Sequence, residues 1–438
     1  MIVEMKDSGI AWIGEIPKHW NISKVSNHYN VQLGKMLQPK KELADDKLEN
    51  YLCAANVSKN QLHLDSIKQM WMKQCERDLY SLKKGDLLVV EGGDVASCDI
   101  LKEDISNLYF QNALHRVRPI GKNDNRYLRY ILLVAKDSGH IDLICNKATI
   151  SHFTKDKFEK LVFLNVPKEE QSCIANFLDK KCAEIDELIA LQEQMIAHLN
   201  TYKQAVITET VTKGLDPNVK MKDSGVEWIG DIPEHWDVVP VKYLGRTQNG
   251  ISKGGDYFGE GYPFVNYGDI YKNYFIGSND ASGLAKSTKE DQTNYSVVKG
   301  DVFFTRTSET IEEIGFSCAC IETINNATFS GFLIRFRPYA NILHPIYSGF
   351  YFRSTMHRQY FVKEMNIVTR TSLGQELLKG LPVLLPPLIE QQSIANYLDK
   401  KCKEIDELIS IKKDKIEQLK AYKKSVIFEY VTGKKQVI

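Results

Sequence analysis

The sequence predicts an α+β protein with two similar domains separated by two long antiparallel helices, an internal repeat with pseudo-two-fold character. Two observations carry this prediction. A short phrase occurs twice, and a helical segment occurs twice in the same order at nearly the same spacing. Short β-like runs between these repeats supply the strands. A chain of 438 residues is long enough for roughly two to four domains.

The first repeated element is a phrase of fifteen residues. KDSGIAWIGEIPKHW (Lys6–Trp20) returns as KDSGVEWIGDIPEHW (Lys222–Trp236), 216 residues later, with eleven of fifteen positions identical. Each copy precedes a body of similar length, so the phrase marks the beginning of each repeating unit.

The second repeated element is helical. IANFLDKKCAEIDELI (Ile174–Ile189) recurs as IANYLDKKCKEIDELI (Ile394–Ile409), with fourteen of sixteen positions identical at an offset of 220. Its apolar residues recur at steps of three and four, which predicts a helix with one apolar seam. Proline before each start, and Gly214 and Gly433 after each end, predict helices of about 40 residues, or roughly 60 Å.

A helix of this length with one apolar stripe needs a partner. Residues 168–213 hold five basic and eight acidic groups, whereas residues 388–435 hold eleven basic and eight acidic groups. The resulting balances of −3 and +3 favour pairing of the two helices with each other. The alternative is that each helix packs only on its own body.

The bodies contain short strand-like runs broken by turn residues. GDLLVVEGGD (Gly85–Asp94) aligns with GDVFFTRTSE (Gly300–Glu309), and HRVRP (His115–Pro119) aligns with IRFRP (Ile334–Pro338). The residues between these fragments hardly match, so one fold carries two different surfaces. We therefore divide the chain into a first domain (1–165), a central helix (166–213), a second domain (214–385) and a C-terminal helix (386–438).

Composition argues against a membrane or metal protein. No run of eighteen apolar residues occurs, and the N-terminal MIVEMKDSG lacks the layout of a signal peptide, so we expect a cytoplasmic protein without a membrane partner. The nine cysteines form no CxxC pair and the ten histidines show no ligand spacing. Reduced thiols and no metal site are therefore expected.

Motifs for catalysis are absent from the sequence. Amino-methyltransferases need an Asn/Asp-Pro-Pro-aromatic loop, but the only double proline lies in Leu385–Leu388. No GxxxxGK[ST] phosphate loop or HExxH motif occurs; the nearest approach to the former, Gly245–Gly250, lacks the lysine. We expect no catalytic, cofactor-binding or metal-binding residues in this chain.

Three motifs together resemble a known family. The entry phrase GxxWIGxIPxHW, the pattern PP-x-x-EQQ-x-IA-x-x-LD (Pro386–Asp399) and the duplicated IDELI helix resemble specificity subunits of type I restriction–modification systems. The resemblance covers essentially the whole chain. The first copy departs from it, because NVPKEEQSCIA stands where the second copy has LPPLIEQQSIA.

This resemblance implies a function in DNA recognition. It implies two target-recognition domains on two long antiparallel helices, reading an asymmetric, bipartite target in double-stranded DNA with one domain per half-site. It also implies partners: two modification (methyltransferase) subunits that carry S-adenosylmethionine, and restriction/translocase subunits. No cofactor is expected on this chain, and no catalysis of its own.

DNA-contacting residues are expected where the two copies diverge, on loops with polar or aromatic side chains. Tryptophans and arginines that recur in both copies, by contrast, are expected to be structural: Trp12, Trp20, Trp228, Trp236, Arg116 and Arg335. The candidates for DNA binding are Lys35, Lys40, Lys41, Glu91, Lys147 and His152 in the first domain, and Ser252, Lys253, Tyr257, Arg306, Thr307, Ser308, Arg370 and Thr371 in the second.

Two other classes of function remain open at this point. The chain could be a protein–protein scaffold with two adaptor domains on a helical spacer, or a self-contained enzyme. Specific DNA binding beside a methylating partner separates the first alternative from DNA recognition. Methylation by the purified chain alone would support a self-contained enzyme.

Overall fold

The computed structural model describes residues 4–145, 152–308, 314–357, 360–361 and 371–437. It divides into two compact units. The first unit holds Met1–Gln192 with Asp414–Ile438, and the second holds Glu193–Lys413. Each unit therefore contains one body, the start of one long helix and the end of the other. In the described residues, no helix has a stretch long and apolar enough to cross a membrane.

The strands of the first unit precede the first long helix. They are β1 (Met5–Asp7), β2 (Glu15–Pro17), β3 (Asn21–Lys24), β4 (Tyr29–Leu33), β5 (Lys47–Leu52), β6 (Val57–Ser58), β7 (Gln61–Leu62), β8 (Lys68–Met72), β9 (Leu87–Val90), β10 (Cys98–Ile100), β11 (Leu108–Phe110), β12 (Leu114–Pro119) and β13 (Val162–Asn165). Its short helices are α1 (Gln74–Tyr80), α2 (Asn125–Asp137), α3 (His140–Ile144) and α4 (Lys155–Lys160).

The strands of the second unit follow the first long helix, α5 (Lys168–Lys213). They are β14 (Met221–Asp223), β15 (Asp231–Pro233), β16 (Asp237–Pro240), β17 (Gly245–Asn249), β18 (Phe258–Val265), β19 (Phe275–Ile276), β20 (Gly283–Ala285), β21 (Val302–Thr305), β22 (Thr307–Ser308), β23 (Ser317–Cys320), β24 (Thr328–Phe329), β25 (Leu333–Pro338), β26 (Thr371–Ser372) and β27 (Pro382–Leu385). Its helices are α6 (Val241–Leu244), α7 (Tyr267–Lys272), α8 (Lys289–Asn294), α9 (Pro345–Arg353), α10 (Gln375–Gly380) and the second long helix, α11 (Leu388–Val431).

The central sheets of the two units share one topology. The first has the order β10-β9-β12-β4, and the second contains β23-β21-β25-β17, extended at the β23 edge by β19. A smaller three-stranded sheet lies in each unit, β11-β5-β8 in the first and β20-β18-β24 in the second. The runs LLVV and VFFT are buried along their whole length, as expected for strands covered on both faces. The predicted α+β internal repeat is confirmed.

The repeated arginines hold these sheets to their flanks. The Arg116 guanidinium donates to the carbonyls of Leu79 (2.9 Å) and Ser81 (2.7 Å), and its equivalent Arg335 donates to the Ser296 carbonyl (2.6 Å). These contacts satisfy backbone acceptors, so the predicted structural role of both arginines is confirmed.

The next arginine along each strand forms an ion pair with the aspartate of the GD motif. Arg118 contacts Asp86 at 2.6 Å, and Arg337 contacts Asp301 at 2.6 Å. Both aspartates are buried. GD and RxRP therefore recur in the two copies because both units contain the same arginine–aspartate ion pair.

Segments of the two long helices run antiparallel within each unit. In the first unit the ring centroids of Phe177 and Tyr430 are 4.3 Å apart, and farther along Asp186 meets Lys423 at 2.7 Å. Residue numbers rise on one helix as they fall on the other. In the second unit Lys203 meets Asp406 at 2.7 Å, the same pair shifted by 220 residues. The predicted antiparallel pairing is confirmed.

The entry phrase binds the start of a long helix. The Trp20 indole N–H donates to Glu170 Oε1 at 3.1 Å, and the Trp236 indole N–H donates to Glu390 Oε2 at 3.0 Å. Both indoles are buried. Gly433, at φ +73°, lies against the Trp20 ring, because a Cβ added there would be 2.9 Å from a ring carbon. The repeated phrase therefore packs one body against both long helices.

A buried glutamine completes each helix start and explains why the missing proline has little effect. Gln171 accepts from the Asp124 N–H (3.1 Å) and donates to the Val166 carbonyl (2.9 Å). Gln391 accepts from the His344 N–H (2.8 Å) and donates to the Pro386 carbonyl (2.9 Å). Both helices begin within one turn of this glutamine.

Candidate nucleic-acid interface

The central strand of the first unit ends at a predicted contact residue, Glu91. Its N–H donates to the Ala113 carbonyl at 3.0 Å, and its carbonyl accepts from the Phe153 N–H at 2.7 Å. The next residue, Gly92, forms an antiparallel bridge with His152. The structure thus brings together two candidates that are 61 residues apart in the chain.

The central strand of the second unit ends in the same way at Arg306. Its N–H donates to the Phe332 carbonyl at 2.9 Å, and its carbonyl accepts from the Leu373 N–H at 2.7 Å. Thr307 then pairs with Ser372. Glu91 and Arg306 occupy the same framework position, which we call the strand-exit position.

The β22–β26 pair gathers the remaining candidates of this region. It joins Thr307 to Ser372 and Ser308 to Thr371, so Arg306, Thr307, Ser308 and Thr371 lie together, as their shared divergence predicts. Lys147 and Arg370 lie outside the described residues.

A glycine brings a second segment to each site. An added Cβ at Gly34 would lie 2.2 Å from the Gln111 carbonyl oxygen, and one at Gly250 would lie 2.2 Å from the Ser330 carbonyl oxygen. Only glycine permits this approach. The following residues, Lys35 and Ile251, then form parallel bridges with the same partners.

A three-residue turn joins the two sides of each site. This bridging turn comprises residues 111–113 in the first unit and 330–332 in the second. In the second unit the Gly331 N–H donates to the Ile251 carbonyl at 2.8 Å, which places Ser252 and Lys253 beside the turn that also binds Arg306. Two candidate segments therefore contact this turn, and the third, at Thr371, pairs with the strand that follows Arg306.

Sequence reasoning did not identify Phe332, the last residue of this turn. Its side chain is 62% exposed, whereas Ala113 stands at the equivalent place in the first unit. The aligned fragments place a large aromatic residue opposite alanine two positions before HRVRP and IRFRP, and that signal could have identified it. On the neighbouring segment the first unit instead exposes Met36 and Leu37.

The strand-exit side chains are unpaired charges among the described residues. No hydrogen bond or ion pair joins the Glu91 carboxylate or the Arg306 guanidinium to another group in that part of the chain. Burial raises the pKa of Glu91, and the nearby His152 opposes that rise. By contrast, the charged residues earlier on the same segments, Asp86 and Asp301, are each bound by an arginine.

The lysine candidates occupy different environments. Lys35 is only 7% exposed, and its ammonium donates to Glu76 (2.8 Å) and Gln38 (3.0 Å). Lys40 is exposed, and the exposed Lys41 ammonium lies 5.6 Å from the Trp71 ring centroid. Lys35 is thus held inside the domain, while the other two can reach a phosphate.

The second unit presents a lysine on an aromatic ring. The Lys253 ammonium lies 5.6 Å from the Tyr257 ring centroid, and the Tyr257 hydroxyl donates to Asp291 at 3.1 Å. Burial and this carboxylate raise the pKa of Tyr257 to about 12. Tyr257 therefore stays neutral at physiological pH and positions the lysine.

The recurring tryptophans are packing residues. Trp20 and Trp236 are buried at the helix starts. Trp12 stacks on His140 with ring centroids 5.3 Å apart, and the Trp228 and His357 rings meet edge to face with centroids 5.8 Å apart. These intramolecular contacts confirm the expected packing role. Within the described residues no cluster of His, Cys, Asp and Glu could hold a metal ion.

Comparison with protein families gives one match across both halves of the chain. The model described as type I restriction modification DNA specificity domain matches residues 17–200 and 233–421. Each match contains one body and the start of the long helix that follows it.

Individual relatives agree with this match. The MjaVIII specificity subunit of Methanocaldococcus jannaschii, a type I restriction enzyme subunit, is 24% identical over 449 residues, covering 96% of this chain and 94% of its own. The putative MjaX specificity subunit of the same organism is 27% identical, covering 71% and 68%. The EcoKI specificity subunit of Escherichia coli K12 is 28% identical, covering 58% and 53%.

Solved structures show the same fold. A chain from work on complex assembly and conformational transition of the type I R-M system has a TM-score of 0.71 at 12% identity, covering 95% of this chain and 98% of that one. The HsdS subunit of Thermoanaerobacter tengcongensis has a TM-score of 0.53 at 14% identity, with the same coverage. Because the family model matches both halves, the chain belongs to the type I restriction–modification DNA specificity subunits and carries two DNA specificity domains.

Proposed function

We propose that this chain reads an asymmetric, bipartite sequence in double-stranded DNA, with one domain per half-site. One observation carries the proposal: the same loop framework is built twice, but with different side chains at corresponding places. Glu91 stands where the second domain has Arg306, and Ala113 stands where it has Phe332. Because base edges differ in their donors and acceptors, two such surfaces require two different half-sites.

The chain's contribution to DNA modification is recognition, without catalysis of its own. Methyl transfer and the S-adenosylmethionine that it requires belong to modification subunits, and DNA translocation and cleavage belong to restriction subunits. In support, the candidate residues are polar, charged and aromatic side chains on turns and short strands. Buried thiols such as Cys98, whose pKa burial raises to about 12, are poor nucleophiles.

The long helices anchor two modification subunits. Each helix presents exposed apolar side chains at equivalent places: Leu188 and Leu191 on the first, and Leu408 and Ile411 on the second. Exposed leucine and isoleucine side chains three residues apart on a helix suit the apolar face of another protein. Because the set occurs twice, two copies of one partner have equivalent places to bind.

The test is a map of methylated bases in cells that express this chain with its modification subunit. We expect one bipartite sequence with two unlike halves, and no methylation by either protein alone. A palindromic target would contradict reading by two different domains. Methylation by the purified chain with S-adenosylmethionine would contradict the non-catalytic role.

A further inference from the structure

We propose that the strand-exit position reads a base edge in both domains, with opposite chemistry in each. Glu91 accepts a hydrogen bond from the exocyclic amino group of a cytosine or adenine, and Arg306 donates to the O6 and N7 acceptors of a guanine. This inference rests on the proposed function, that each domain reads one half-site. It adds the class of base that each domain requires at one position.

The two side chains start from equivalent places within their own domains. Each follows a buried four-residue strand, β9 or β21. Each backbone N–H binds the bridging turn, at 3.0 Å for Glu91 and 2.9 Å for Arg306. Each backbone carbonyl accepts an N–H at 2.7 Å. These four bonds use main-chain atoms, so the backbone direction is the same whichever side chain is present.

Within the described residues neither side chain forms a hydrogen bond or ion pair, although His152 lies near enough to Glu91 to act on its carboxyl electrostatically. A charge that is partly removed from water is destabilised unless another group binds it. Arg118 and Arg337, on the adjacent strands, each bind an aspartate through two nitrogens. Glu91 and Arg306 are half-buried and have no such ion pair in the part of the chain that the structure describes, so a ligand can supply one.

The chemistry of the base edges then determines what each residue can bind. A carboxylate only accepts hydrogen bonds, and a guanidinium only donates them. In the major groove guanine offers only acceptors, whereas cytosine and adenine offer an amino donor. Glu91 is thus repelled by the edge that Arg306 binds best. Opposite charges at one framework position impose opposite base preferences on the two half-sites.

Neighbouring residues leave both charged groups accessible. Glu91 is followed by Gly92 and Gly93, which have no side chains to cover the carboxylate. Arg306 is followed by Thr307, whose side chain is half-buried, and lies against the turn that carries the exposed Phe332. Both strand-exit residues are partly exposed, so DNA approaching either turn can contact their side chains.

Base analogues in the target can test the inference atom by atom. The complex of this chain with its modification subunits is purified, and its sequence is taken from the methylation map. Duplexes then carry one altered base at a time: 2-pyrimidinone for cytosine or purine for adenine, which lack the amino group, and 7-deazaguanine for guanine, which lacks N7. The measured quantity is the dissociation constant for wild type and variants.

We expect the wild-type complex to lose roughly 5- to 150-fold in affinity at sensitive positions, the range for a good base contact. In Glu91→Ala the penalty should vanish at one amino-bearing base of the first half-site. In Arg306→Ala it should vanish at one 7-deazaguanine of the second half-site. Every other penalty should persist in both variants.

Glu103→Ala and Lys299→Ala are matched controls, because both residues are exposed and neither lies at a strand exit. They should keep every penalty. If Glu91→Ala does not bind, Glu91→Gln, which keeps a carbonyl acceptor, should show a reduced penalty at the same position. Unchanged penalties in the Glu91 and Arg306 variants would overturn the inference. A wild-type complex without a bipartite target would instead overturn the proposed function.

Discussion

His115 is a fully buried histidine on β12, and the second unit has Ile334 at the equivalent place. Its Nε2 lies 2.7 Å from the Phe153 carbonyl. Burial lowers the pKa of His115 from 6.5 to about 4. Because the folded pKa is below the unfolded one, its stabilising contribution is present above pH 6.5 and is lost as pH falls towards 4.

We therefore expect acid to destabilise the first unit by about 3 kcal/mol over this range, at about 1.36 kcal/mol per pKa unit. Hydrogen exchange of β12, corrected for its intrinsic rate, should show the loss, with β25 as internal control. His115→Ile, which copies the second unit, should remove this part of the pH dependence. Equal acid sensitivity of the variant and wild type would contradict the assignment.

Phe332 is an exposed aromatic side chain beside Arg306 and Ser252. Phe332→Ala should leave the free energy of unfolding within about 0.5 kcal/mol, as for most exposed positions. DNA binding by the complex should weaken by about 1–3 kcal/mol, the range for losing the recognition of one base pair, because an exposed phenyl ring can contact a thymine methyl group. Tyr339→Ala, at another exposed aromatic residue of the same unit, is the control. Equal affinities of both variants would place Phe332 away from DNA.

The sequence predicts residue roles well where a pattern repeats, and less well where a partner is distant. The packing of Trp20 and Trp236 follows from identity between copies. The burial of Lys35 depends on Glu76, which is 41 residues away and is brought close by the fold. No local pattern reveals that pair, so Lys35 resembles an ordinary exposed loop lysine.

At the scale of elements, the start of each long helix is a joint between helix and body. Glu170 lies in the first turn of α5, where a carboxylate also interacts favourably with the helix dipole. Glu170→Ala would leave the buried Trp20 indole N–H without its acceptor, and an unsatisfied buried donor costs about 1–3 kcal/mol. Glu390→Ala should act equally on Trp236 in the second unit.

Denaturant unfolding of each variant, followed by tryptophan fluorescence, measures these losses. Glu169→Ala is the matched control, because Glu169 is exposed in the same turn and the indole N–H donates to Glu170 instead. A loss as large in the control as in Glu170→Ala would show that helix charge, and not the indole bond, is responsible.

The helices themselves were the most predictable elements. The sequence predicts a start near residue 166 and an end at Gly214, and α5 spans Lys168–Lys213. Periodicity extends over many turns in such a helix, so a few interrupted positions do not hide it. The two-residue strands β22 and β26 are too short to leave a pattern, and they form because distant segments pair.

At the scale of the whole molecule, each body is delimited by elements that recur in both units. β3 pairs with β13, and β16 pairs with β27, so these strands close each body beside the helices. Replacing residues 25–161 by the corresponding body of a relative leaves that pairing and the entry phrase intact. We expect the methylated sequence to change in one half only.

The methylation map of cells that express the chimera with its modification subunit measures this outcome. An unaltered chain expressed in parallel gives the reference sequence. A change in both halves would show that the two domains do not read independently.

The close approach of Gly34 to Gln111, and of Gly250 to Ser330, has a consequence for how such a protein evolves. The bridging turns are held by glycine and by main-chain hydrogen bonds, which do not involve the side chain at the strand exit. If these side chains read DNA as proposed, mutations there would alter which DNA is recognised and leave this framework in place. A new specificity would then need only a single substitution, and no intermediate variant would have to misfold.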